Sequence, residues 1–288
     1  MTDHPVTTIG RFRMTTLVDG RFPANAAFMP NAGTTAGQAL FVAAGLPAAG
    51  PSMEPINAFA VERDGKLWLI DTGVGKGAAP EFGHVGDRLR ELGCEPCDVD
   101  MIILTHLHED HIGGLIEDGR RVYPNARLIV PAPDLQFWTD PAAPLTSSEP
   151  QLAFESARLV LDHHRGSVEA IDGDVPIADG LRFFPLYGHT PGHSGVLIED
   201  GDEKLMMWAD ITHSSMLQLA YPDWTIGRDN DPEMVAATRH KLLAELATSR
   251  LRIAGSHHVG TGRIEAAEVG YRFVSEASWA KGRQEVAA

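Results

Sequence analysis

The sequence predicts an α/β fold with sheets covered by helices, and three observations carry that prediction. A β-hairpin ending in aspartate occurs twice, at 56–71 around the turn Arg63-Asp64-Gly65 and at 195–210 around Asp200-Gly201-Asp202. A short apolar strand finishing in a hydroxyl residue and then histidine also occurs twice, as Ile102-Ile103-Leu104-Thr105-His106 and Ile253-Ala254-Gly255-Ser256-His257. Segments with helical signals lie between these strands. The two aspartates are 139 residues apart and the two histidines 151, in the same order. Two related halves of this kind would place one site at their shared edge.

In chain order, residues 82–92 read as a helix after the first hairpin. Met101-Ile102-Ile103-Leu104 reads as a buried strand, followed by a helix that begins near His111. The Pro/Ala-rich stretch 141–150 is a loop and not a domain boundary, because periodic segments resume on both sides. A helix at 151–161, an apolar strand at 181–186 and the second hairpin come next. Asp231 as N-cap and Pro232 at the first helical position open a helix that runs to about Ala247. Residues 263–274 read as a last helix. The expected organisation is a single domain over 1–288, with 1–55 an N-terminal extension contributing to the pocket or to a dimer contact.

With 288 residues, 43% hydrophobic and 22% charged, the chain can bury a large core. No stretch approaches the roughly 20 apolar residues of a bilayer span. Residues 1–14 lack a basic start and an apolar signal core, so a cytoplasmic location is expected. A net charge of −15 disfavours nucleic acid and anionic membrane as partners, which leaves a small molecule. Cys94 and Cys97 cannot complete a four-thiolate zinc site alone, and a reduced surface turn is the expectation for them.

The chemistry concentrates in Thr105-His106-Leu107-His108-Glu109-Asp110-His111, directly after the buried strand. His-x-His places two rings on one side of an extended chain, and the following turn can aim Asp110 and His111 at a second position. Imidazole and carboxylate suit first-row metals, and the lack of thiolates argues against a closed structural zinc site. A second cluster, Gly188-His189-Thr190-Pro191-Gly192-His193, forms a sharp loop after an apolar strand. Asp210 follows an apolar run, where a carboxylate needs a partner or a metal. His106, His108, Asp110, His111, His189, Asp210 and His257 all stand at strand ends, an inventory for two metals.

In these pieces, together with Asp71-Thr72-Gly73, the chain resembles the metallo-β-lactamase-fold hydrolases, over residues 56–260 and in that family's order. Within the superfamily it looks most similar to the branch of methyl parathion hydrolase and the acyl-homoserine lactonases. The resemblance implies an αββα sandwich of two mixed β-sheets with helices on both outer faces. It implies His106, His108 and His189 on one divalent ion, with Asp110, His111 and His257 on a second and Asp210 bridging. Zinc is the expected metal, with manganese, iron or cobalt as alternatives. Ions about 3.5–4 Å apart can share a nucleophilic hydroxide, which implies a hydrolase for a lactone, carboxylic ester or phosphotriester. Asp110, Asp210 and His213 are the expected catalytic residues, while Asp71 and His193 orient ligands from behind. Related enzymes are often dimers, so a homodimer is compatible with the resemblance.

Other residues have more than one reading. His213 stands where the lactonases carry a substrate-contacting tyrosine, so it serves as a donor to the substrate or marks a different specificity. His258 must point away if His257 binds metal, and Glu109 falls outside the ligand set. His84 lines the pocket or caps a helix in solvent, while His4, His163, His164 and His240 read as surface residues. Phe28, Phe137, Trp138 and Trp224 could form an apolar substrate wall, and Trp68 and Trp208 pack in the hairpins. Specificity is expected to come from 25–44, 131–150 and 213–230. The competing functions are a thiolester hydrolase of the glyoxalase II type and a mononuclear iron persulfide dioxygenase.

Overall fold

The computed structural model describes residues 4–279. Alternation of side chains explains its layers. In β4 (Lys66–Ile70), Leu67 and Leu69 point to one face while Trp68 and Ile70 point to the other. The first sheet runs β1 (Val6–Ile9), β2 (Phe12–Ala24), β3 (Ser52–Arg63), β4, β5 (Met101–Ile103), β8 (Arg127–Pro131) and β9 (Val168–Ile171). A short ribbon of β6 (Ile116–Glu117) and β7 (Arg120–Arg121) lies apart from it. The second sheet runs β10 (Pro176–Ala178), β11 (Leu181–Pro185), β12 (Ser194–Asp200), β13 (Glu203–Met207), β14 (Arg252–Ala254), β15 (Gly262–Ala266) and β16 (Tyr271–Ser275).

Both sheets contain the same sub-arrangement. The β3–β4 and β12–β13 pairs are antiparallel, and β4–β5 and β13–β14 are parallel. Phe59, Ile70 and Ile103 of one sheet meet Phe183, Ile198 and Met207 of the other in the central core. The outer face of the first sheet packs α2 (Val85–Glu91), α4 (Ala132–Thr139) and α6 (Gln151–His163) through Leu89, Trp138 and Phe154. The second sheet's outer face packs α7 (Pro232–Ser249) through Val235, Leu242 and Leu246. The result is an αββα sandwich, the fold class read from the sequence. A smaller cluster joins Met29 and Phe41, from the segment around α1 (Thr35–Ala43), to Leu217 and Ile226. Two short helices, α3 (Glu109–Ile112) and α5 (Ala143–Thr146), lie in the connections of the first half.

The predicted helix at 263–274 is instead the hairpin β15–β16, with Gly262 opposite Ser275. Gly270 turns there at φ +60, with the carbonyls of Leu219 and Ala220 against it. Helix-favouring Ala and Glu are overridden by pairing with the sheet edge. The helix expected from 82 begins at Val85, after Gly83 at φ +86. The N-cap of α7 forms as read, with the Asp231 side chain accepting from Met234 N. β1 forms the edge of the first sheet and β2 pairs with both β1 and β3, and Phe22 and Pro23 at the far end of β2 reach the cavity over the strand ends. No helix among the described residues is long and apolar enough to cross a membrane.

Candidate metal centre

The strand ends of β4, β5, β13 and β14 open on one edge, and the histidines converge there. His106 Nε2 lies 3.1 Å from His108 Nδ1, which lies 3.0 Å from His189 Nε2. Asp110, His111, Asp210 and His257 form a second group whose ligand atoms are mutually within 4.8 Å, and His189, Asp210 and His213 form a third. Asp210 Oδ2 is the common point. It is 3.2 Å from His111 Nε2, 3.1 Å from His257 Nε2, 3.1 Å from His213 Nε2, 3.6 Å from His189 Nε2 and 3.8 Å from His106 Nε2. All seven predicted ligands therefore come together.

The outward nitrogen of each of five rings is anchored. His106 Nδ1 faces Thr105 Oγ1 at 3.0 Å, and His108 Nε2 faces Glu149 Oε1 at 2.8 Å. His189 Nδ1 faces Asp229 Oδ1 at 2.8 Å, and His111 Nδ1 faces Asp71 Oδ2 at 2.8 Å. His257 Nδ1 faces the Pro55 carbonyl at 2.9 Å. A neutral ring that donates outward presents a lone pair inward. Five inward lone pairs and the oxygens of Asp110 and Asp210 then face one another, and Asp210 Oδ1 is buried without a hydrogen-bond partner. Such a shell of acceptors fits cations. The nitrogen and oxygen donor set suits zinc, manganese, iron or cobalt.

The electrostatics agree. Burial pushes His111 down, but Asp210, Asp110 and Asp71 outweigh it and hold the ring well above its ordinary range. That point of the site attracts positive charge. Burial, with His111 beside it, keeps His106 well below the usual range. Burial drives Asp210 upward, yet His111, His257 and His213 hold it well below a normal carboxylate.

Asp71 sits beneath the ligands, accepting from Thr105 N and Thr105 Oγ1 at 2.9 Å each as well as meeting His111. His193 supports Asp210 through its main chain: His193 Nε2 accepts from Asp210 N at 3.0 Å, and Nδ1 donates to Leu186 O at 2.8 Å. His258 points away from the ligands, its ring 4.9 Å from that of Trp208. Glu109 is turned to Arg228.

A cavity of about 450 Å³ opens above the site, walled by Phe22, Phe28, Ile56, Val74 and Ile226, with Arg228 at its margin. Among the four aromatics proposed for this wall, only Phe28 lines it. Trp138 is buried under His108, Phe137 packs on Trp138 and Phe154, and Trp224 stacks on Tyr221. His84 opens α2 and does not line this cavity. His164, read as a surface residue, is buried with Nδ1 donating to Val160 O, the carbonyl one turn back in α6. Cys94 is partly buried against the core, and Cys97 is exposed.

His213 lines the cavity but differs from the five anchored rings. Its Nδ1 is buried without a partner, and burial pushes its pKa down to about 4 despite Asp210. It is held through its main chain, His213 N donating to Gln218 Oε1. Arg239 braces the same segment from α7 by donating to the carbonyls of Ile211, Pro222 and Trp224.

Several supporting residues were not found from the sequence. Glu149 and Asp229 lie in segments read as loops, 41 and 40 residues from the histidines they hold. Asp134 ties two ligand loops together by accepting from Leu107 N at 2.8 Å and Gly192 N at 3.0 Å. A Cβ on Gly192 would stand 2.2 Å from Asp134 N, so glycine is required there. The only available signal was the ligand loop's own Gly-His-Thr-Pro-Gly-His pattern, which marks a close approach without naming the partner.

The αββα layers and the His/Asp site at the strand ends define a hydrolase of the metal-binding type. The chain belongs to the metallo-beta-lactamase superfamily, whose family model matches residues 52–257. It is similar to AidC, described as a dizinc quorum-quenching lactonase, with 26% identity, a TM-score of 0.87 and 95% and 97% of the two chains covered. The hydrolase AbOPH is similar at 25% identity and a TM-score of 0.87, covering 96% of this chain and 98% of that one. An N-acyl homoserine lactonase of Bacillus thuringiensis is 26% identical over 164 residues, 50% of this chain and 58% of that relative. The chain covers 84% of a 25% identical Bacillus subtilis relative but about half the length of several other curated relatives.

Proposed function

We propose that the protein is a dinuclear metal-dependent hydrolase that cleaves a lactone, a carboxylic ester or a phosphotriester. The reading rests above all on the inward-facing acceptors gathered around Asp210 Oδ2, with His111 and His257 at 3.2 and 3.1 Å and His189 and His106 at 3.6 and 3.8 Å. His106, His108 and His189 would hold one ion, and Asp110, His111 and His257 a second. Bound there, divalent cations supply a water that is nucleophilic near neutral pH and polarise the substrate C=O or P=O.

The chain's own residues do the rest. Thr105, Glu149, Asp229, Asp71 and the Pro55 carbonyl fix ring tautomers and aim the lone pairs before substrate arrives. The apolar walls exclude water and receive an apolar arm of the substrate. His213 is neutral near pH 7, so its single ring N–H donates a hydrogen bond to the substrate carbonyl or leaving oxygen. Asp110 is the partly exposed carboxylate of the set, held ionised by His111 and His257 against burial, and its carboxylate would take the proton that the attacking water loses and pass it to the leaving oxygen.

Similarity to AidC over most of both chains favours a lactone. A thiolester is the second reading, favoured by a hydroxyacylglutathione hydrolase of Photobacterium profundum that is 32% identical over 144 residues, 49% of this chain and 45% of that relative. Against it, Arg228 is the only Lys or Arg on the cavity wall among the described residues and is already paired with two glutamates. The test is a hydrolysis screen of metal-analysed protein against lactones, aryl esters, phosphotriesters and thiolesters. Turnover of at least one of the first three classes, lactones foremost, is expected. Activity confined to thiolesters would replace the reading.

A further inference from the structure

Four consecutive residues, Ile226-Gly227-Arg228-Asp229, serve both the cavity wall and one of the two ligand groups. Ile226 and Arg228 line the cavity. Asp229 Oδ1 holds His189 Nδ1 at 2.8 Å, while its Oδ2 accepts from Ile226 N at 2.8 Å and closes the stretch into a turn. Arg228 Nη2 donates to Glu109 Oε2 at 2.7 Å and lies 3.3 Å from Glu149 Oε2. The Glu149 side chain is fully buried, and its other oxygen holds His108. Glu149 Oε2 has no closer partner, so the guanidinium is the charge that faces it. A buried carboxylate needs that compensation to keep one orientation. The other ligand group takes nothing from this stretch: His111 rests on Asp71 and His257 on the Pro55 carbonyl.

We propose that Arg228 is a positioning residue for the His106/His108/His189 group, acting through Glu149. Retention of a cation in that group then depends on the same stretch that shapes the cavity wall. The proposal rests on the two-ion reading above.

The test loads the protein with Co²⁺, dialyses it against graded chelator, and follows ion content and the visible absorption of bound cobalt. Arg228→Met should weaken one of two ions about tenfold or more and leave the other at the parent affinity. Arg228→Lys should regain much of that loss. Glu109→Gln should stay near the parent, because it removes only the outer partner of the guanidinium. Glu149→Gln should reproduce the selective loss, which keeps the test open if Arg228→Met folds poorly. The proposal is overturned if Arg228→Met holds both ions like the parent, if both weaken equally, or if Glu109→Gln matches it. A parent protein that binds fewer than two ions would instead overturn the two-ion reading, a separate outcome.

Discussion

The two hairpins of the sandwich use the same backbone plan and put their aspartates to different work. Ile70 pairs with Ile103 in the first half and Met207 with Ala254 in the second. His106 and His257 each follow three residues after those strand partners, so they are equivalent in register. The aspartates are not. Asp71 N donates to Ile103 O, and the matching bond in the second half comes from Trp208 N to Ala254 O. Asp210 therefore stands two residues beyond the position equivalent to Asp71, after Ala209 in a left-handed conformation at φ 50. Those two residues move a carboxylate from beneath the imidazoles, where Asp71 has its hydrogen bonds satisfied, into their midst.

That contrast fixes an order of expected effects. Asp210→Asn should lower kcat/KM by about 10³-fold or more and weaken both ions, measured by kinetics and metal analysis together. If Asp210→Asn kept two ions and full turnover, the shared role would be wrong. His213→Asn should cut kcat by about 10²-fold while leaving two ions bound, because the residue donates without being an anchored ligand. Loss of an ion in this variant would move His213 into the ligand set. Asp71→Asn should weaken ion retention about 10- to 100-fold by disturbing the His111 tautomer, and mainly in the group containing His111. An effect as severe as that of Asp210→Asn, on both ions, would erase the distinction between the hairpins.

His193 backs the Asp210 main chain and offers a pH test in chelator-treated protein. Burial lowers it to about 3, whereas unfolded histidine titrates near 6.5. The folded ring stays neutral while the unfolded one gains a proton below that value, so its contribution is complete above about 6.5 and is lost as pH falls towards about 3. His193→Gln should cost about 1–3 kcal/mol near pH 8 in denaturant melts, and the gap from the parent should narrow on acidification. A gap that widens would reverse the sign. The smallest effect belongs to the cysteines: Cys94→Ser and Cys97→Ser should change turnover by less than about twofold. Activity lost from the parent protein under reducing conditions would contradict that expectation.

The ligands were legible in the sequence because each ends an apolar strand, where a polar cluster is conspicuous. The paired hairpins were legible because their turns and alternation are local. Glu149, Asp229 and Asp134 were not, since a single acidic residue in a loop looks the same whether it holds a histidine or faces solvent. Only the sheet brings it back to a partner 27, 41 or 40 residues away, as for Asp134 with Leu107, Glu149 with His108 and Asp229 with His189. The 263–274 segment failed for a related reason, its strand identity being imposed by the neighbouring edge. The aromatic wall was half legible: Phe28 was named, but Phe22 was not, because its place depends on how far β2 runs.

β2 is thirteen residues long and outreaches the core, carrying Phe22 and Pro23 to the cavity. The turns that hold the ligands follow β5, β11, β13 and β14, on other pieces of chain. Phe22 and Phe28 nevertheless rest on that centre, their rings 5.0 Å from that of His257 and 5.6 Å from that of His213. An overhanging strand thus ties the shape of the cavity wall to the packing of the imidazoles beneath it.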